Sequence, residues 1–208
     1  EGEDFTVQEN GRLFWVNLDK YLDTGLFLDH RNTRQVVGDM AAGKRFLNLF
    51  AYTGSFSVYA ATGGAISSET VDLFNTYLNW AKRNFELNKI DENKHTIVRQ
   101  DVFQYLQDAF FEQKQFDVIV MDPPSFSNSK KMLEILEMQR DQQRLIDGAM
   151  RLLWPTGTLF FSNNLRSFEL DEAVSERYAV KDISKQSVPD DFRNKKIHQC
   201  WRITHKSA

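Results

Sequence analysis

Gly54, Asp72, Asp101 and Asp122 each stand just past an apolar run, in "RFLNLFAYTGSF", "AISSETVDL", "HTIVRQDVF" and "DVIVMDPPSF". A glycine that lets the backbone turn tightly, with an acid eighteen positions later (54 and 72), approaches the roughly 20-residue spacing at which a carboxylate grips ribose hydroxyls. "AYTGSF" holds only one glycine of the G-x-G-x-x-G fingerprint, which argues against a pyrophosphate cofactor and leaves an adenosine-bearing one without pyrophosphate. Asp101 is placed to accept from an adenine amino group, with Val102 beside it as apolar wall. Asp122 runs into Pro123 and Pro124, whose rings fix φ and offer no N–H, so their carbonyls stand at a rigid corner with no competing donor. Singly, these residues also read as a turn or as helix N-caps. Together they fit one nucleoside with a reacting centre next to it.

Such residues need strands to carry them. From residue 45 the chain alternates apolar runs at 45–51, 65–71, 95–100, 116–121 and 157–163 with amphipathic stretches after Gly54 to 61, at 75–88, 102–112 and 134–153. Strand and helix in alternation predict a doubly wound α/β sheet, mostly parallel and buried on both faces, whose ligands sit beyond the carboxyl ends of the strands. Before it, "DFTVQENGRLFWVNL" predicts a small β-hairpin turning at Asn10-Gly11, and a helix at 32–42 is expected to end on Gly43 as C-cap. After it, "YAVKDIS" and "IHQCWRITH" predict two strands with no helix between them, a C-terminal antiparallel hairpin. A soft boundary near residue 30 separates a 1–30 hairpin extension from a 31–208 catalytic domain.

With 208 residues, 41% hydrophobic, the chain can bury one substantial core, and its net charge of -3 confines any nucleic-acid surface to a local patch. A single cysteine, Cys200, suits a reducing compartment, and no run is long and apolar enough for a membrane span, so the expectation is a cytoplasmic protein. The first residue is Glu1, as in a segment of a longer polypeptide.

The strings "FLNLFAYTGSFSVYAATGGA", "SSETVDLFNTYLNWAKRNFELN", "DVIVMDPPSFSNSKKM", "LFFSNNLRSF" and "DFRNKKIHQCWRITH" closely resemble the C-terminal domain of the bifunctional bacterial 23S rRNA guanine methyltransferases, the RlmK part of the RlmKL family. The likeness runs in order from about Tyr21 to His205. It implies the Rossmann-like class I methyltransferase fold, S-adenosylmethionine as cofactor with S-adenosylhomocysteine as product, no metal, and 23S rRNA made 7-methylguanine. It also implies a covalently linked N-terminal domain that methylates a guanine N2. By this resemblance Asn48, Phe50, Tyr52, Thr53, Gly54 and Ser55 cradle the methionine end, Asp72 with Leu73 takes the ribose, Asp101 and Val102 border the adenine, and Asp122 with Pro123 faces methyl transfer. "YLDTGLFLDHR" resembles a segment closing over the cofactor, with Asp29 and Arg31 as its candidates.

The residues narrow the chemistry. Cytosine C5 methylation needs a cysteine thiolate, and Cys200 lies in an apparent late strand. Methylation of an exocyclic amine pairs Asp/Asn-Pro-Pro with an aromatic directly after it, whereas here Ser125 takes that place and Phe126 follows. Guanine N7 offers a free lone pair, so aiming it in a dry site suffices. Three readings therefore stand: guanine-N7 methylation, exocyclic-amine methylation, and a silent RNA-binding module. Phe126 is the candidate base platform or a core plug. Asn128, Asn163 and Asn164 are candidates for guanine edges, and Lys130, Lys131, Arg140 and Arg144 for phosphates, with a second basic cluster in "RNKKIH". His30, His95, His198 and His205 lack metal-ligand spacing and are given no catalytic role, and Tyr77 and Trp80 read as core.

Overall fold

The computed structural model describes residues 3–19, 23–124, 126–127 and 136–207, the side chains of residues 126, 127 and 136 excepted. Asn10 and Gly11 both take left-handed φ, 48° and 81°, as a two-residue I′ turn requires. They join β1 (Phe5–Glu9) to β2 (Arg12–Val16) in the expected hairpin. A 3-10 turn, Leu28–His30, then leads into α1 (Arg31–Met40). Its C-cap is Ala41 rather than Gly43, which sits two residues on with φ 72°.

The alternating part follows as β3 (Arg45–Leu49), α2 (Ser55–Thr62), β4 (Ser67–Asp72), α3 (Asn75–Leu87), β5 (His95–Arg99), α4 (Val102–Phe111) and β6 (Phe116–Met121). After β6 a two-residue antiparallel pair, β7 (Phe126–Ser127) with β8 (Leu136–Glu137), precedes α5 (Met138–Leu152) and β9 (Leu153–Asn163). The chain closes with α6 (Glu172–Arg177), β10 (Ala179–Asp182), α7 (Ser184–Ser187) and β11 (Gln199–Thr204). The sheet has the order β10-β11-β9-β6-β3-β4-β5; its pairs are parallel from β9 to β5, and antiparallel where β11 meets β9 and β10. This is the expected α/β sheet, mostly parallel, with its antiparallel C-terminal hairpin.

The β7–β8 pair and α6 have no counterpart in the sequence reading, and a single helical turn, α7, stands between the last two strands. Asp182 accepts the Ser184 N–H at 2.8 Å to start it, and four residues are too few to leave a periodic signal.

The sheet is apolar on both faces, because alternate residues of one strand point to opposite layers. In β6, Val118 and Val120 pack with Val37, Phe56 and Ala60 on the α1–α2 side. Ile119 and Met121 pack with Leu106, Leu145 and Ile146 on the α4–α5 side. That explains why "VIVM" is uninterrupted.

The N-terminal hairpin joins a third cluster, Phe14 and Val16 against Val58, Tyr59 and Phe85. Arg34 of α1 is 1% exposed, and its guanidinium donates to both carboxylate oxygens of Glu9 on β1 at 2.8 and 2.9 Å, and to the Phe27 carbonyl at 2.8 Å. Tyr59 donates to the same Glu9 carboxylate at 2.9 Å. A buried ion pair is tolerated only when its hydrogen bonds are completed in this way.

Candidate active site

Leu49 is in register with Val71 on one side and Met121 on the other, and Met121 with Phe161. The next residues, Phe50, Asp72, Asp122 and Ser162, therefore leave the sheet at one level. Strand order reverses between β3 and β6, which makes this the crevice where open parallel sheets bind ligands.

The loop after β3 is wound unusually tightly. Phe50, Tyr52 and Gly54 all have positive φ, 55°, 51° and 73°, and each non-glycine residue so placed costs on the order of 1–3 kcal/mol. Backbone contacts hold it: the Ala51 N–H donates to the Val71 carbonyl at 3.0 Å and the Tyr52 N–H to Asp72 Oδ2 at 2.9 Å. Gly54 is required here twice over, by its φ and because a Cβ would lie 2.9 Å from that of Ala81. Asn48 and Thr53 brace the loop from behind, donating to the Ser57 hydroxyl at 3.0 Å and the Gly25 carbonyl at 2.7 Å.

A cavity of about 570 Å³ opens over these strand ends. Of the sequence candidates, Asp29, Phe50, Tyr52, Asp72, Leu73, Asp101, Val102, Asp122, Pro123 and Asn164 line it. Asn48, Thr53 and Gly54 stand behind it as supports, and Ser55 opens α2 outside its lining. Arg31 is turned to Asp191 at 2.6 Å, and Asn163 is fully buried, donating to the Pro123 carbonyl at 3.5 Å and accepting the Leu165 N–H at 2.8 Å. Arg140 pairs with Asp141 at 2.7 Å, and Arg144 lies 4.3 Å over the Phe103 ring. Asn128, Lys130, Lys131 and the side chain of Phe126 lie outside the described residues.

The cavity suits an adenosyl sulfonium. Asp72 accepts the Tyr52 and Phe74 N–H groups at 2.9 and 3.0 Å, one on each oxygen, and burial raises its pKa despite them. Asp101 caps α4 with Oδ1 alone, accepting from Phe103 and Gln104, which leaves Oδ2 available to an adenine amino group. The cap and the cavity wall are thus one residue serving both roles. Phe50, Leu73, Phe74 and Val102 supply apolar walls, and five carboxylates against a single histidine favour a cation.

The largest departure from the sequence reading concerns the histidines. His30 lines the cavity with its Nε2 at 3.2 Å from Asp122 Oδ2, while Ser162 donates to Asp122 Oδ1 at 2.6 Å. The His30 ring stacks on His198 at 4.3 Å and 8° between planes, and His198 Nδ1 meets Asp29 Oδ2 at 2.7 Å. Burial alone would raise the Asp122 carboxyl, but the His30 charge and hydrogen bond, with that from Ser162, hold it down to about 2. Burial likewise opposes charge on His30, and Asp122 overrides it to raise the imidazole pKa.

Asp29, His30 and His198 lie close enough to suggest metal ligands. Parallel rings aim their in-plane lone pairs side by side rather than at one point, so the stack does not suit a shared ion. Tyr77 also lines the cavity, against its expected core place, whereas Trp80 is buried and donates to the Trp15 carbonyl at 2.8 Å. Cys200 is fully buried in β11, and burial pushes its thiol up, so it offers no thiolate.

Comparison with known proteins agrees with this geometry. A family model for S-adenosylmethionine-dependent methyltransferases matches residues 1–196. Ribosomal RNA large subunit methyltransferase K of Neisseria meningitidis serogroup B is 76% identical over 206 residues, 99% of this chain and 58% of that protein. Ribosomal RNA large subunit methyltransferase K/L of Chromohalobacter salexigens is 55% identical over 99% of this chain and 28% of its own length. The chain therefore spans between about a quarter and three-fifths of these relatives. Among solved structures, the methyltransferase SMU.776 in complex with SAH superposes with a TM-score of 0.83 at 30% identity, covering 97% of this chain and 56% of that one. A crevice built for an adenosyl sulfonium and a matching family model lead to one conclusion: the chain belongs to the S-adenosylmethionine-dependent methyltransferase family.

Proposed function

We propose that this chain methylates N7 of a guanine in 23S ribosomal RNA, as one domain of a longer polypeptide that also carries a guanine-N2 methyltransferase domain. The observation that carries the N7 reading is the state of Asp122. Both of its oxygens are already engaged, Oδ2 by His30 Nε2 at 3.2 Å and Oδ1 by the Ser162 hydroxyl at 2.6 Å. An exocyclic amine needs free acceptors here for its hydrogens, whereas the N7 lone pair needs none. The names of the K and K/L relatives support ribosomal RNA of the large subunit as substrate.

S-adenosylmethionine supplies an electrophilic methyl on sulfur, and transfer to N7 breaks the carbon–sulfur bond onto sulfur, leaving S-adenosylhomocysteine and a cationic base. Asp122 faces that developing charge in a partly buried site, where a fixed charge acts more strongly than in water. His30 and Ser162 fix the carboxylate's orientation from two sides. Pro123 and Pro124 line the cavity at a rigid corner without donors, so nothing there competes for the N7 lone pair.

The test is nucleoside mass spectrometry of 23S rRNA from a strain lacking the gene, with and without complementation. Restored 7-methylguanine is expected. Restoration of N2-methylguanine alone would replace this reading with amine methylation.

A further inference from the structure

We propose that a second cavity, walled by the 163–166 turn and the 194–199 segment, is the subsite for the RNA backbone flanking the target base. This rests on the RNA reading above. The cavity measures about 610 Å³ and shares Asn164 with the cofactor cavity. His198, in its wall, meets Asp29, in the wall of the other, at 2.7 Å. A base drawn out of its stack toward Asp122 would leave its phosphates on this side.

The chemistry of the wall is that of phosphate binding. Arg166, Lys195 and Lys196 face one acid, Asp182, amid amide and hydroxyl groups such as Asn194 and Ser184. Lys195 is held by the Pro189 carbonyl at 2.9 Å and by Asp190 at 3.6 Å. Arg166 and Lys196 are exposed and form no ion pair among the described residues, in a chain with 29 acids to 26 bases.

A third cavity shows what compensated cations look like. It lies by the start of β3 and the end of α5, away from the site, and there Arg45 pairs with Asp117 and Lys114 with Glu69 and Glu112, while Arg151 lies 5.7 Å over the Phe110 ring. Exposed cations with no ion pair among the described residues, set beside the reactive crevice, are what a polyanion-binding face requires. Leu165 is the one aliphatic side chain in the wall of the second cavity, and the three cations there supply the backbone contacts that position a nucleic acid.

The test compares the protein with Arg166→Ala, Lys196→Ala and the double variant. Three quantities are measured: S-adenosylmethionine affinity by calorimetry, methyl transfer to 23S rRNA with KM and kcat separated, and the salt dependence of binding a fluorescein-labelled single-stranded RNA. The double variant is expected to raise KM roughly tenfold near physiological salt and to lower the log–log salt slope by about 0.7 per lost contact. Its kcat, cofactor affinity and melting temperature are expected to match the parent. An active double variant with parental KM and salt slope overturns the subsite and leaves the RNA reading intact. A parent that neither binds nor methylates RNA overturns both.

Discussion

Two cavities meet at Asn164, and their walls carry opposite charge. One presents Asp23, Asp29, Asp72, Asp101 and Asp122 with His30, the other Arg166, Lys195 and Lys196 with Asp182. In the first, Asp72, Asp101 and Asp122 stand at or just past strand ends, the first two fixed by backbone N–H groups and the third by His30 and Ser162. In the second, the cations stand on loops and Arg166 and Lys196 reach solvent unpaired. Fixed charge suits a small cofactor whose atoms must be placed to a fraction of an ångström, whereas exposed charge suits a polymer held by many weak contacts. If the second cavity holds RNA as proposed, aim and affinity lie in different parts of the molecule, and mutations should separate them.

The contrast breaks most sharply at Asp122. Asp122→Asn keeps the shape and removes the charge, so kcat should fall on the order of 100- to 1000-fold while calorimetry finds S-adenosylmethionine affinity nearly unchanged. Full turnover with parental cofactor affinity would dismiss the electrostatic role. Asp72→Ala should weaken the cofactor roughly ten- to a hundredfold, since hydrogen bonds to a charged group contribute about 1.5–3 kcal/mol. RNA affinity should stay put in that variant, and a parallel loss would mean that the two cavities are not separable.

His30→Gln sharpens the same side through pH. The imidazole pKa is raised above its ordinary 6.5 and the Asp122 carboxyl is lowered from 3.8 to about 2. The pair's stabilisation is therefore complete between those ordinary values. It fades on the acid side as pH falls toward 2, and on the alkaline side as pH rises through the raised histidine value. The melting-temperature gap between protein and variant should be widest in mildly acidic buffer and narrow on going alkaline. A gap constant across that range would rule out a titrating pair. The smallest effect is of salt on the parent: raising it from about 0.05 to 0.2 M should weaken RNA several-fold, with little change in cofactor affinity. Equal sensitivity of both ligands would erase the contrast.

The acidic cavity was largely legible in the sequence and the basic one only partly. Apolar runs mark strands, parallel sheets put ligands at strand ends, and so Asp72, Asp101 and Asp122 could be placed before any coordinates. The cap reading of Asp101 did not remove it from the cavity, because Oδ1 alone accepts from the helix and the residue still lines the wall. The His30–His198 stack was invisible for a different reason. Its members lie far apart in sequence, and they meet only because β11 inserts next to β9. His30 did sit in the segment expected to close over the cofactor, and its adjacency to Asp29 was the one available signal. The left-handed Phe50 and Tyr52 carry no sequence mark at all, since strain at a bulky residue is imposed by surroundings rather than by propensity. "RNKKIH" was visible as charge, but only the fold brings Arg166 beside it.

The buried Arg34 has a consequence for anyone who trims this protein. Its three anchors come from the first 30 residues and α2: Glu9, the Phe27 carbonyl, and Tyr59 through Glu9. A chain begun at Arg31, where composition invites a cut, would keep the cation and discard its counter-charge. Stranding a buried charge costs about 3–5 kcal/mol, a large share of the 5–15 kcal/mol that holds a typical domain together. Such a fragment should melt well below the parent, and Arg34→Met should recover part of the loss; a fragment as stable as the parent would show the hairpin to be ornamental. On this arithmetic the first thirty residues are a lock whose key is one guanidinium.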